Sequence, residues 1–312
     1  MMIEYIFKRL LQIIPVLLLV SIISFSIIYI APGDPAMTLC AGPDGQVDPE
    51  YVEEFTEKYG LDEPLYVQYF TWLNNILHGD FGYSYKTGQP VLELVLSAFR
   101  ATMKLAIVSL IISLVISIPL GIISAIKQNT LTDTFCMIGA TLGISMPNFW
   151  LGCILMLIFA VYLNWLPAAG YGESGDLEYI ILPAITLGAS SAAITARLMR
   201  SSMVESLSQD YILTARAKGV SERTITLKHA MKNALIPVVT MVGLNFAFLL
   251  NGSAVVETLF AWPGLGGLTV LSMEMRDYMV VQGCMIFIAL LFIAVNLAVD
   301  ITYKFIDPRI RL

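Results

Sequence analysis

Charge is the first thing this sequence is short of. Asp, Glu, Lys and Arg make up 13% of its 312 residues, against about 25% in an ordinary soluble domain. A chain with so little material for a wetted surface is not an ordinary soluble enzyme. Histidine and cysteine are scarce as well: His78 and His229 are the two histidines, and Cys40, Cys136, Cys153 and Cys284 form no C-x-x-C pair. That argues against a metal or redox site built by this chain, and the cysteines read as small hydrophobes. No G-x-x-x-x-G-K-S/T sequence occurs, so the chain lacks the amide nest and lysine of a nucleotide-binding phosphate loop. The net charge of −6 and the smallness of the one basic patch speak against nucleic-acid binding.

What the sequence has instead is long apolar runs, within a composition that is 57% hydrophobic. Leu10–Ile30, Leu105–Ile126, Asn233–Val256 and Tyr278–Val299 each carry no charged residue or histidine. Each is long enough to cross about 30 Å of hydrocarbon as a helix. Tyr179–Ala196 is a shorter fifth run. Phe135–Tyr162 makes a sixth, closed by Asn164-Trp165-Leu166-Pro167, whose aromatic and proline content suits an interfacial turn. The expected fold is therefore an all-α integral membrane protein with six transmembrane helices.

The few charges orient these spans. Lys8 and Arg9 precede the first, seven Lys or Arg lie in 197–232, and Lys304, Arg309 and Arg311 follow the last. Lys58 and Lys86 are the only basic residues in 31–89, and 163–178 has none. Basic connectors stay inside, so both termini and the 197–232 segment are expected in the cytoplasm. Residues 1–30 form the cytoplasmic N-terminus and first helix. Ile30-Ala31-Pro32-Gly33 is a poor cleavage context, which favours a retained helix over a signal peptide. Residues 31–96 form an extracytoplasmic segment, with an acidic amphipathic helix expected around Glu50–Tyr59 and another over Pro64–Leu73. Residues 97–312 form a five-helix core with a cytoplasmic docking segment at about 201–232.

That inner segment, between the fourth and fifth spans, is patterned. Ser208-Gln209-Asp210 supplies side chains suited to capping a helix start, and Gly219 is a natural stop. Ser221-Glu222-Arg223-Thr224 restarts the helix, with Ile225, Leu227, Ala230 and Met231 as its apolar face. Small Ala215 and Ala217 would admit a close-docking partner, and Arg216 and Lys218 would add directed polar contacts. Positive-inside bias explains the charge of this segment but not its helix-glycine-helix order.

These residues carry a resemblance. Asp210-Tyr211-Ile212-Leu213-Thr214-Ala215-Arg216-Ala217-Lys218-Gly219, His229-Ala230-Met231-Lys232-Asn233-Ala234-Leu235-Ile236-Pro237 and Glu257-Thr258-Leu259-Phe260-Ala261-Trp262-Pro263-Gly264 are the strongest parts of it. Over nearly its whole length the chain resembles the inner-membrane permease subunits of bacterial ABC importers for dipeptides, oligopeptides, glutathione and nickel. The resemblance implies that Asp210, Tyr211, Thr214, Ala215, Arg216, Ala217, Lys218 and Gly219 belong to a coupling helix seated in a cleft of the ATPase. Leu213 stands where many ABC importers have Glu. The implied partners are a second homologous permease, two ATPase domains or subunits, an extracytoplasmic solute-binding protein and the lipid bilayer. The implied home is a bacterial or archaeal cytoplasmic membrane. No cofactor is expected in this chain, and ATP and Mg belong to the partner ATPases.

Sparse polar residues within the spans, Ser109, Ser113, Ser117, Asn148, Gln282 and Asn296 among them, would either line a path or bond across packed helices. Asn245 and Asn251 are the better path candidates, because a span with two amides does not face lipid all round. No acid lies inside a run; Glu257 and Asp300 stand at the edges. That favours an ATP-driven permease over the alternative of an ion-coupled secondary transporter. Short peptides rank first as substrate and a nickel complex second, because the binding protein would do the selecting.

Overall fold

A computed structural model describes residues 2–30, 52–53, 56, 62–173, 176–251 and 254–306, and apart from 2–10, 30, 251 and 299–306 it describes their side chains too. Among the described residues the principal helices are α1 (Met2–Ile30), α2 (Leu65–Leu77), α3 (Val91–Ile126), α4 (Leu131–Ser145), α5 (Asn148–Leu155), α6 (Leu177–Leu207), α7 (Asp210–Ala217), α8 (Met231–Asn251), α9 (Ala254–Leu259), α10 (Leu265–Glu274) and α11 (Tyr278–Ile306). Most of the acidic helix expected around Glu50–Tyr59 lies outside the described residues, as do residues 307–312. The chain is an all-α, multi-pass membrane protein. Among the described residues, five helical stretches are long and apolar enough to cross a bilayer, or six if α4 and the following Asn148–Tyr162 count as one broken span.

The break has a local cause. Met146 and Pro147 are extended, with ψ of 129° and 136°, as the residue before a proline tends to be. The two halves meet at 108°. Beyond α5 the helix widens to π geometry over Met156–Tyr162. A second π segment, Ile225–Ala230, joins the short helix Glu222–Thr224 to α8. The helix expected after Gly219 is thus continuous with the fifth span rather than a separate element.

The chain forms two compact units. One comprises residues 1–101 and 263–297. Its core is Val91, Val95, Ala98, Leu265, Val280 and Cys284. A Cβ on Gly283 of α11 would lie 2.5 Å from Val91 Cγ1, so glycine permits that approach. Phe25 of α1 packs against Tyr69 and Trp72 of α2 with ring centroids 5.5 and 5.6 Å away.

The other unit comprises 102–262 and 298–312. Its centre is α6, whose most apolar window is 67% buried. The pattern Ser109-x3-Ser113-x3-Ser117-x3-Gly121 lays small residues along one stripe of α3. All three serines are buried. A Cβ on Gly188 of α6 would meet the Ser109 carbonyl at 2.7 Å, and one on Gly121 would meet the Ala196 carbonyl at 2.8 Å. Ser113 and Ser191 hydrogen-bond across the pair at 3.3 Å. Backbones approach here because no side chain intervenes.

Candidate functional site: helix α7 and its base

The end of this unit where α3, α6 and α8 come together carries α7. Its start differs from the capping expected: Gln209 is the N-cap and makes no side-chain cap bond, while Ser208 donates its hydroxyl backwards to the Glu205 carbonyl at 2.8 Å. Asp210 instead occupies the first turn, where a carboxylate complements the helix dipole. The stop is as read. Gly219 has φ of +75°, its N–H donates to the Arg216 carbonyl at 2.9 Å, and the Val220 N–H donates to the Ala215 carbonyl at 3.2 Å. This pair of bonds is a Schellman closure, which needs a left-handed residue at the glycine position.

One face of α7 is anchored. Ile212 is fully buried in a cluster with Ala125, Met199, Met203, Ile225, Ala230, Ala234 and Val238, and Ala215 packs against that cluster half-buried. The expectation that Ala215 and Ala217 both offer docking surface therefore divides: Ala215 turns inward and Ala217 lies exposed. Asn233 Nδ2 donates to the Tyr211 hydroxyl at 2.9 Å, tying α7 to α8. Arg216 does not stand free. It makes two bonds to Glu222, at 2.7 and 3.2 Å, which strap α7 to the segment after the turn. The Glu222 carboxylate raises the guanidinium's pKa above its ordinary value.

The other face is bare. Leu213 is 58% exposed, and Asp210, Thr214, Ala217, Lys218 and Gly219 are exposed with it. A Cβ added at Gly219 would meet nothing within 4 Å. The result is a short helix fixed at its back and presenting Leu213, Thr214 and Ala217 forward between the charges of Asp210 and Lys218, a shape suited to docking.

Where the end of α3, the start of α4 and α6 meet sits an ion pair that sequence reasoning missed. Asp133, at the start of α4, is 4% exposed. Arg200 of α6 grips both its oxygens at 2.7 Å, Ser124 donates to it, and the Asn129 N–H donates at 3.0 Å. The signal was available: Asp133 and Arg200 each adjoin an apolar run, and both would need partners. Glu257 was read as a residue at a span edge. It is fully buried, and Thr102 donates to its carboxylate at 2.7 Å. An edge in hydropathy is here interior in the fold.

The two path candidates fall on α8. Asn245 is 7% exposed, and its Nδ2 donates to Thr195 Oγ1 of α6 at 3.1 Å. Asn251 ends the helix, and its side chain lies outside the described residues.

Comparison with known proteins gives this arrangement a family. Residues 117–312 match the model described as "Binding-protein-dependent transport system inner membrane component", and residues 2–106 match that family's N-terminal model. The chain is 46% identical to the glutathione transport system permease protein GsiC of Escherichia coli (strain K12) and 47% identical to that of Salmonella typhimurium, over 99% of both chains in each case. The inward-facing MetNI methionine ABC transporter is similar in fold, with a TM-score of 0.58 at 18% identity over 69% of this chain and 96% of that one. A second crystal form of the same transporter gives 0.57 at 17% identity over 69% and 97%. The chain belongs to the binding-protein-dependent transport inner-membrane component family, as a non-catalytic ABC-importer permease that works with a second permease, two ATPase domains or subunits and a solute-binding protein.

Proposed function

We propose that this permease serves an importer of short peptides, glutathione-like tripeptides included, and that α7 is the helix through which ATPase closure is transmitted to the membrane path. The observation that carries the coupling role is the two-sidedness of α7: Ile212 is locked into the cluster shared by α6 and α8, while Leu213, Thr214 and Ala217 are open. A push on the open face reaches two spans through one buried side chain. Closing and opening of the paired ATPases would then tilt α6 and α8 and expose the path alternately. The substrate reading is supported by the end-to-end similarity to glutathione permeases.

Six spans with both termini in the cytoplasm is the topology we propose. The Asp133–Arg200 pair sets the start of α4 beside the C-terminal half of α6, whereas the loop that follows α5 leads straight into the N-terminus of α6. That path supports a single net crossing for the α4–α5 pair despite its bend. Lys127, Arg197, Arg216, Lys218, Arg223 and Lys228 gather towards the end that carries α7, in keeping with a cytoplasmic side. Residues 31–96 would then lie outside, and 97–312 would form the core with the coupling segment at about 201–232. Asn245 and Asn251 are the proposed polar part of the path, since a helix with two amides turns some of its girth away from lipid.

The coupling role is tested in the reconstituted importer with Ala217→Trp. Bulk on the open face should lower transport at least tenfold, through lost assembly or through ATP hydrolysis without transport, while the melting temperature of the isolated chain holds. Unchanged transport, hydrolysis and assembly would overturn the role. For the substrate, calorimetry on the cognate solute-binding protein decides: tight binding of a nickel complex with no binding of dipeptides, oligopeptides or glutathione removes the peptide assignment.

A further inference from the structure

Helix α2 has 13 residues and no Asp, Glu, Lys, Arg or His among them. At about 1.5 Å a residue it is roughly 20 Å long, too short to cross a bilayer. Nor is it a core helix, since Gln68 is its one buried residue. One side of it rests on α1. Phe25 packs on Tyr69 and Trp72, the Ser21 and Tyr69 hydroxyls share a hydrogen bond of 2.8 Å, and the Tyr29 hydroxyl donates to Gln68 Oε1. A second side, with Thr71 and Asn75, lines a cavity shared with Asp80 and Tyr85 of the loop that follows. The third side is a stripe of Tyr66, Phe70 and Leu77, spaced i, i+4 and i+11. They are 67%, 64% and 76% exposed.

Water is a poor neighbour for that stripe. A helix on a wet surface carries charged residues on its free side, and this one offers large apolar and aromatic side chains instead. Its packing partner identifies the occupant. Among the described residues α1 is the least buried of the long apolar helices, with 17% of its window buried. Ile22 and Ile23 of α1 are about half exposed, and in a multi-pass membrane protein such a surface meets acyl chains. Phe25, the seat of α2, lies on the next turn of the same helix. The depth agrees as well. The charge-free run of α1 ends at Ile30, five residues beyond Phe25, so the contact with α2 lies about 8 Å inside that end. An interfacial helix sinks its apolar face by about 5–10 Å, and Tyr and Trp are the side chains suited to that level. Asp62 and Glu63 before α2, and His78 and Asp80 after it, are exposed. Polar groups at both ends lay the helix along the membrane surface rather than through it.

We propose that α2 is an interfacial helix whose Tyr66, Phe70 and Leu77 stripe is sunk among lipid acyl chains beside α1, in the leaflet at the C-terminal end of α1. The bilayer covers this face, in place of the solute-binding protein or the second permease. On the orientation proposed above the leaflet is the outer one, but the lipid contact rests neither on that orientation nor on the substrate.

The experiment uses the importer complex with its cysteines replaced, in phospholipid nanodiscs that leave both faces open. Tyr66→Cys, Phe70→Cys and Leu77→Cys each carry a nitroxide spin label, with Leu19→Cys of α1, 59% exposed, as lipid reference and Asp62→Cys as water reference. Power saturation compares collisions with oxygen, which concentrates among acyl chains, and with a nickel chelate, which stays in water. The ratio of oxygen to nickel accessibility at the three stripe positions should exceed that at Asp62→Cys at least tenfold and match that at Leu19→Cys. A ratio within tenfold of Asp62→Cys would put the stripe in water, and low accessibility to both reagents with an immobilised spectrum would put it under protein. Either result overturns the proposal. The labels replace exposed side chains, and the three positions report separately, so one variant that fails to assemble leaves two to decide. Reversed orientation of the chain would leave all these readings unchanged, which separates its failure from that of the lipid contact.

Discussion

Asp133 draws together three parts of the chain: Ser124 at the end of α3, the Asn129 amide in the turn, and Arg200 on α6. With so many donors on a 4% exposed carboxylate, removing either charged partner strands the other. We expect Asp133→Ala or Arg200→Ala to lower stability by about 3–5 kcal/mol, and the double replacement Asp133→Leu/Arg200→Met to recover most of it. Thermal unfolding of the four proteins in one detergent checks this, and an additive double variant would remove the pairing. Ala261 offers a change of opposite sign. It closes α9 at φ of +49°, with the Trp262 N–H bonded to the Glu257 carbonyl at 2.8 Å and the Ala261 N–H to the Thr258 carbonyl at 3.2 Å. This is the closure seen at Gly219, but with a Cβ in the left-handed region. Ala261→Gly should therefore raise stability by about 1 kcal/mol, seen as a higher melting temperature of the chain.

The α3–α6 pair and α7 differ in how far their roles were readable before the structure. The serines of α3 were visible as polar residues in an apolar run, where packing across helices is the commoner reading and a path lining the other. Only the partner helix decides, and Gly188 and Ser191 of α6 make the stripe a packing surface. Gly188→Leu should accordingly disrupt this unit, because the new side chain would start 2.7 Å from the Ser109 carbonyl. Such overpacking typically costs 1–3 kcal/mol, and a backbone obstacle yields less than a side chain would. Reduced yield and a lower melting temperature are expected, while Gly139→Leu, whose Cβ meets nothing within 4 Å, serves as control. For α7 the order helix, glycine, helix was legible because local chemistry sets it: a left-handed stop is written into one residue. The N-cap was not, since Ser208 had a competing acceptor in the Glu205 carbonyl. Nor was the inward turn of Ala215, which depends on where Ile212 finds its pocket.

For the whole molecule, the open question of broken span against re-entrant loop turns into a labelling experiment. Hydropathy showed Phe135–Tyr162 as one run; Pro147 marked a place where a helix bends or ends, but not that the bend would reach 108°. Three exposed positions separate the outcomes: Leu131 at 76%, Trp165 at 68% and Leu213 at 58%. In a background with the native cysteines replaced, Leu131→Cys, Trp165→Cys and Leu213→Cys are each treated with a membrane-impermeant maleimide in intact spheroplasts and in inverted vesicles. If α4 and α5 together make one crossing, Leu131→Cys and Leu213→Cys react from the same side, in inverted vesicles, and Trp165→Cys reacts in spheroplasts. A re-entrant pair would put Leu131→Cys and Trp165→Cys on one side and Leu213→Cys on the other. The first pattern is expected on physical grounds. Asp133 and Arg200 cannot stay bonded at 2.7 Å unless the start of α4 shares a side with the end of α6, and a helix of 31 residues rising about 1.5 Å each is long enough to carry the loop before it to the other.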